Sequence, residues 1–204
     1  TGNKIAMQSP NPQQPARERI LDAALAVFSE RGFEGGTIRQ IAHRGKVAEG
    51  LIYHYFTNKE ALLGELMRRE SLLSWIEEQQ DHLAIISLRE GLPLILTNLI
   101  NRLTEKSQLF VLVWAQIATS SEVAKKMAGV MGEAAILLAT YLRAKQEKGE
   151  LRALDPLVTA RSLLGAILTH MMWTLRMTPP LPELATERLI SSLVDLVAGE
   201  EKEH

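Results

Sequence analysis

An all-α fold is expected from three features of the chain. Nearly every periodic stretch after Pro15 repeats its apolar residues at helical spacing, and no run alternates β-branched residues as a strand would. Three pairs, Thr37/Gln40, Thr57/Glu60 and Ser87/Glu90, also read as capping boxes placed where apolar stretches begin. The 204 residues, 46% apolar and 23% charged, suffice to bury a sizeable core. About nine helices are expected in two domains, with residues 1–15 a Pro-rich disordered arm, 16–60 a small helical domain and 61–204 a larger one.

In the first helix Ile20, Leu21, Ala24, Val27 and Phe28 make one inward stripe, and Gly32 closes it. The box at Thr37 opens a second helix with Ile38, Ile41 and Ala42 along one face, stopping near Gly45. Val47 to Phe56 form the third, with Ile52, Tyr55 and Phe56 inward. The box at Thr57 opens a long fourth helix through Leu62, Leu63 and Leu66. The box at Ser87 starts a helix running toward Thr104 that carries Pro93 in its early turns. Helices at roughly 107–119 and 121–148 follow. Asp155 ahead of Pro156 supplies an N-cap and a first-turn proline, beginning a helix to about Met177 that Thr178, Pro179 and Pro180 break. The last helix is expected from Pro182 to near Gly199.

Composition removes several function classes. Without cysteine there is no disulfide framework, thiolate metal site or cysteine nucleophile. The five histidines (His43, His54, His82, His170 and His204) are scattered, and none of the G-x-S-x-G, P-loop, G-x-G-x-x-G or H-E-x-x-H patterns occurs. No catalytic residue, metal site or cofactor is therefore expected. The longest uncharged runs, between Lys106 and Glu122 and between Arg161 and Arg176, fall short of the roughly 18 apolar residues a bilayer span needs. No membrane partner is expected, and the place of action is read as the cytoplasm.

The net charge of −1 hides a local asymmetry. Between Gly35 and Lys59, Arg39, Arg44, Lys46 and Lys59 face the single carboxylate Glu49. The same stretch holds Thr37, His43, Tyr53, His54 and Tyr55, side chains suited to phosphate oxygens. Two short helices joined by a tight turn, the second starting on the small residues Ala48 and Gly50, is how a helix-turn-helix lays a recognition helix in the major groove. Leu51 at that start suits a thymine methyl. Taken singly, each feature is that of a solvated face or a core aromatic. In order and at fixed spacing they favour double-stranded DNA.

Gly32-Phe33-Glu34, Thr37-Ile38-Arg39-Gln40-Ile41-Ala42 and the run from Gly50 to Leu62 resemble the DNA-binding domain of the tetracycline-repressor (TetR) family, over about residues 16–66. The resemblance implies a homodimeric transcriptional regulator, usually a repressor, that binds a palindromic operator and is released by a small molecule. Carried over, it implies that Thr37, Tyr53 and His54 hold phosphates and Arg39 reaches a base edge or phosphate. It also implies that Glu49, Gly50 and Leu51 face bases and that Lys59 clamps the backbone, while the small side chain of Ala48 lets the backbone come close to base edges. Lys46-Val47-Ala48 departs from the family's usual Gly-Val-Ser, replacing the turn glycine with a cation and losing the capping hydroxyl. The rival expectation is a helical small-molecule binder without DNA binding.

In the larger domain Phe110 and Trp114, Met127 and Met131, and His170 and Trp173 pair at helical spacing. Adaptable methionine beside large aromatics suits a largely apolar effector, with His170 as its polar anchor. The helix around Leu157–Leu175 carries Arg161 as its one charge and apolar residues all round. Gly165 permits close helix approach, so Leu164, Gly165 and Leu168, with Leu189, Leu193 and Leu196 of the final helix, are expected to form a four-helix bundle with a second copy.

Overall fold

The computed structural model describes residues 15–71, 73–176 and 185–199. The expected arm up to Gln14, the break at Thr178–Pro180 and the helix start at Pro182 lie outside them. Among the described residues the chain forms ten helices. They are α1 Ala16–Gly35, α2 Ile38–Gly45, α3 Glu49–Tyr55, α4 Lys59–Arg69, α5 Leu73–Ile85, α6 Leu88–Glu105, α7 Ser107–Ile117, α8 Ser121–Glu147, α9 Pro156–Arg176 and α10 Thr186–Val197. Two compact units result, one reaching Met67 and including Leu112–Lys126, the other comprising Arg68–Val111 and the chain from Met127 onward.

In the first unit α1 packs on α2 and α3, and α2 on α3. Ile20, Leu21, Val27, Phe28, Ile41 and Ile52 are all buried there. Gly32 takes φ 72°, a conformation glycine adopts without a Cβ penalty, and so ends the long run of α1 before Phe33 turns back onto Phe28, ring centroids 5.4 Å apart. α4 is capped by Asn58, not Thr57: the Asn58 Oδ1 accepts the Ala61 N–H at 2.6 Å.

The expected long fourth helix is two helices. The Ser71 hydroxyl donates to the Arg68 carbonyl at 2.6 Å, closing α4, and accepts the Leu73 N–H at 3.3 Å, opening α5. The polar run Glu77–His82 obscures α5 in the sequence; among its described side chains Leu73, Ile76 and Leu83 are buried and Trp75 packs partly buried against the core.

The second unit's core gathers Ile76, Leu83, Leu92, Ile95, Leu138, Leu142, Leu163, Ile167 and Val194 from five helices. The Ser87/Glu90 capping box forms, and the Asp155 carboxylate accepts the Leu157 and Val158 N–H groups at 2.9 Å. Lys145, 1% exposed, donates to the Ile86 carbonyl at the end of α5, with Glu150 Oε1 4.0 Å away. A cation there offsets the helix's unpaired carbonyl oxygens, while burial lowers the pKa of its ammonium. Contrary to the run-length expectation, α8 is long and apolar enough to cross a bilayer by length and composition. Uncharged runs missed it because Glu133 and Arg143 interrupt an Ala-, Leu- and Gly-rich stretch whose mean hydropathy stays high. Its apolar stripe Ala134, Ala135, Leu138, Ala139 and Leu142 is spent on this unit's core.

Candidate nucleic-acid interface

α2 begins at exposed Thr37, whose Oγ1 accepts the Gln40 N–H at 3.2 Å while the Gln40 Oε1 accepts the Thr37 N–H at 2.9 Å. This reciprocal pair holds the helix N-terminus rigid, with its remaining N–H groups facing outward. Ile41 and Ala42 bury the inner face, leaving Arg39 and His43 exposed on the other. Charge and exposure coincide on this outer face of α2.

The turn to α3 is a Schellman-type helix end, with the Val47 N–H bonded to the Ala42 carbonyl at 3.0 Å and that of Lys46 to His43. Its left-handed position, φ 52° and ψ 49°, is held by Lys46, the sole non-glycine residue with positive φ among the described residues. The turn therefore keeps its geometry without the glycine, at a cost of roughly 1 kcal/mol in backbone strain. We expect Lys46→Gly to stabilise the protein by up to about 1 kcal/mol, read as a rise of about 2–4 °C in thermal denaturation. An unchanged or lower midpoint would show that the left-handed turn carries no strain.

α3 is anchored by Ile52, fully buried, and by Phe56 just beyond its end. Ala48 caps it with no side-chain hydrogen bond. Around that anchor Ala48, Glu49, Gly50, Tyr53 and His54 are exposed and Leu51 is half-buried. Tyr55, expected inward, also faces out, its ring edge-on to His54 at 5.2 Å. Seven residues make fewer than two full turns, so a single buried position suffices to seat α3 and leaves three aromatic or imidazole tips outside.

Lys59 makes its own contacts within the protein. Its Nζ donates to the Phe33 carbonyl at 2.8 Å and the Gly36 carbonyl at 3.3 Å, and lies 4.3 Å from the Phe33 ring centroid. The amine ties the start of α4 to the segment that precedes Thr37. The sequence offers no signal for this, since the acceptors are backbone atoms. Arg17 was likewise missed: it pairs with Glu18 and Glu65 and sits 5.9 Å from the Phe56 ring, stiffening the small unit behind α3.

The other expected contacts lie in the remainder of the chain. Phe110, Met127, Met131, His170 and Trp173 belong to the second unit and Trp114 to the first. Phe110 is buried, Met127, Met131 and His170 are half-buried, and Trp114 and Trp173 are exposed. Of the expected dimer contacts, Leu164 is 3% exposed and packs into its own core, so it has no surface to offer a partner. Its place in α9 puts it one turn from Ala160 and Ile167 on the inward face, beside the outward Gly165. Leu168, Leu189 and Leu193 are half-buried against the core, and Leu196 is 63% exposed.

Residues 20–66 match the family model described as "Bacterial regulatory proteins, tetR family". Residues 90–199 match "AefR-like transcriptional repressor, C-terminal domain". Among curated relatives, the transcriptional repressor KstR of Rhodococcus jostii is 45% identical over 62 residues, 30% of this chain and 29% of the relative. The transcriptional regulator UidR of Escherichia coli is 39% identical over 57 residues, 28% of this chain and 29% of that one. The matched stretch thus spans less than a third of the length of these relatives. Among solved structures, the fold resembles the regulator FadR of Bacillus subtilis in complex with stearoyl-CoA, at 23% identity and a TM-score of 0.70, over 88% of this chain and 96% of that one. It also resembles a regulator from Saccharomonospora viridis in complex with choline, at 19% identity and a TM-score of 0.66, over 91% and 98% of the two chains.

Proposed function

We propose, from the premise that the chain belongs to the TetR family of bacterial regulatory proteins, that it is a ligand-responsive transcriptional repressor binding a palindromic DNA operator as a homodimer. The observation that carries this reading is the state of α3: one buried side chain holds it, while its groove-sized outer face presents Ala48, Glu49, Gly50, Leu51, Tyr53 and His54. A helix kept only for packing would bury more of itself. In this reading Glu49, Gly50 and Leu51 face base edges with Ala48 beside them. Thr37, Tyr53, His54 and Lys46 hold phosphates, and Arg39 reaches a phosphate or base edge. The family is one of regulators, not of enzymes, and the proposed place of action is the cytoplasm.

Lys59 acts in this reading by holding Gly36 and Thr37 in place. Lys59→Ala is expected to cost about 1 kcal/mol of stability and to leave the slope of log K against log salt unchanged. A slope lower by about one unit with undiminished stability would return the amine to the DNA backbone.

The effector is proposed to be largely apolar, contacting Phe110, Met127, Met131 and Trp173 of the second unit with His170 as polar anchor. The two fold neighbours named hold chemically different ligands, stearoyl-CoA and choline, so this class rests on the chain's own side chains. The reading is tested with duplexes carrying the palindromes that flank the protein's own gene. Salt-dependent binding, weakened by a compound that also changes tryptophan fluorescence, supports it. Fluorescence changes without any salt-dependent duplex binding would favour the rival, a helical small-molecule binder.

A further inference from the structure

An open cleft of about 330 Å³ lies between α1 and α2, lined by Glu30, Arg31, Arg39, Gln40, His43 and Arg44. Three guanidiniums and an imidazole there face one carboxylate. That carboxylate is already engaged: Arg44 donates to Glu30 Oε2 at 2.7 Å, and this bond, with the charges of Arg44 and Arg31, holds the Glu30 carboxyl below its usual range. Glu30 therefore stays ionised and neutralises Arg44. Arg31 and Arg39 are both exposed and make no hydrogen bond or ion pair with a described residue. Two exposed guanidiniums lining one concavity offer the fork geometry that phosphate oxygens accept.

We infer that this cleft is a second phosphate seat for duplex DNA, in which Arg31 of α1 joins Arg39 of α2 to grip the backbone beyond the stretch α3 reads. The inference rests on the repressor reading above and assigns α1 a direct part in it. The occupant is a polymer phosphate because the cleft is open to solvent and continues the basic surface of α2. Arg39 stands two residues from the Thr37 cap, so a strand held at that helix end passes the cleft mouth. Glu30 is the antagonist: it withholds Arg44 and is the one carboxylate among the described residues that line the cleft, moderating affinity for DNA of any sequence.

Arg31→Ala and Glu30→Gln test the seat in the full chain, using a random-sequence duplex of about three helical turns and a titration of NaCl. Arg31 makes no bond that folding needs, and the exposed Arg44–Glu30 pair contributes little to stability. Arg31→Ala is expected to lower the slope of log K against log salt by about one unit for each head engaged, and to weaken random and palindromic duplexes by the same factor. Glu30→Gln is expected to tighten both several-fold. An Arg31→Ala protein with the wild-type slope overturns the seat. So does wild-type protein that binds inorganic phosphate through Arg31 while the variant's duplex slope stays unchanged, which assigns the cleft to a free anion. If wild-type protein shows no salt-dependent binding to any duplex, the repressor reading itself falls and takes the seat with it. A wild-type protein that binds while the Arg31 variant keeps its slope removes the seat alone.

Discussion

Gly50→Glu abolishes sequence-specific duplex binding and leaves the thermal midpoint where it was, or slightly higher. A Cβ placed at Gly50 meets nothing within 4 Å, and the residue lies in the exposed first turn of α3. Nothing in the protein opposes a side chain there, and replacing a glycine in a helix's first turn gains at most a fraction of the roughly 1 kcal/mol that an interior position would. In a major groove the same space belongs to base edges and flanking phosphates. A carboxylate there meets a strongly negative field and blocks close approach, costing about 1–3 kcal/mol for each misfit contact, in both heads of a dimer. A loss of at least about a hundredfold in affinity for the palindromic duplex follows, measured by fluorescence anisotropy beside a melting curve. Wild-type affinity in the variant would mean that α3 is not the reader, however closely its sequence resembles one.

Gly165→Arg converts the dimer to folded monomers and lowers operator affinity by about a hundredfold or more. Within one protomer a Cβ at Gly165 also meets nothing within 4 Å, so the substitution leaves the second unit's core untouched. The outward side of α9 is not free of polar groups, as composition suggested: Arg161, Ser162, Thr169 and Thr174 lie on it with Val158, Gly165 and Trp173. Two of its hydroxyls are satisfied within the helix, Ser162 donating to the Val158 carbonyl and Thr174 to the His170 carbonyl, each at 2.9 Å. Those hydroxyls demand little water, and at Gly165 the bare backbone leaves room for the proposed partner helix to approach. In a twofold contact each guanidinium meets its own copy, and two desolvated like charges outweigh the packing. Separate heads then lose the linkage that lets them engage half-sites about 34–36 Å apart. Analytical ultracentrifugation reads the outcome directly. An unchanged dimer would put the interface elsewhere than α9.

Helix ends in this chain divide by how local their capping bonds are. Thr37 and Ser87 cap the helices they were expected to cap, because the donor lies three residues away and the turn's own geometry delivers it. Thr57 lost that role to its neighbour Asn58, whose carboxamide oxygen reaches the same kind of donor. The choice between adjacent caps is decided by where the backbone leaves the turn. The split between α4 and α5 was hidden for a related reason: Ser71 has no apolar signature, and its hydroxyl ends one helix and starts the next.

What the amino-acid order determined by itself is the helical character, most of the boundaries and the ordered motif from Thr37 to Leu62, since these depend on spacing within a turn or two. Tertiary structure decided where long or ambivalent side chains went. Tyr55 faces outward because Ile52 and Phe56 already fill the space behind α3, and Leu164 faces inward because Ala160, Leu163 and Ile167 set the buried side of α9. The Lys59 amine found carbonyl oxygens 26 and 23 positions earlier, and the α1–α2 cleft brought Arg31 and Arg39 to one mouth. A bond within a turn is nearly imposed by covalent geometry, whereas the partner of a flexible side chain exists only once distant backbone has been folded beside it.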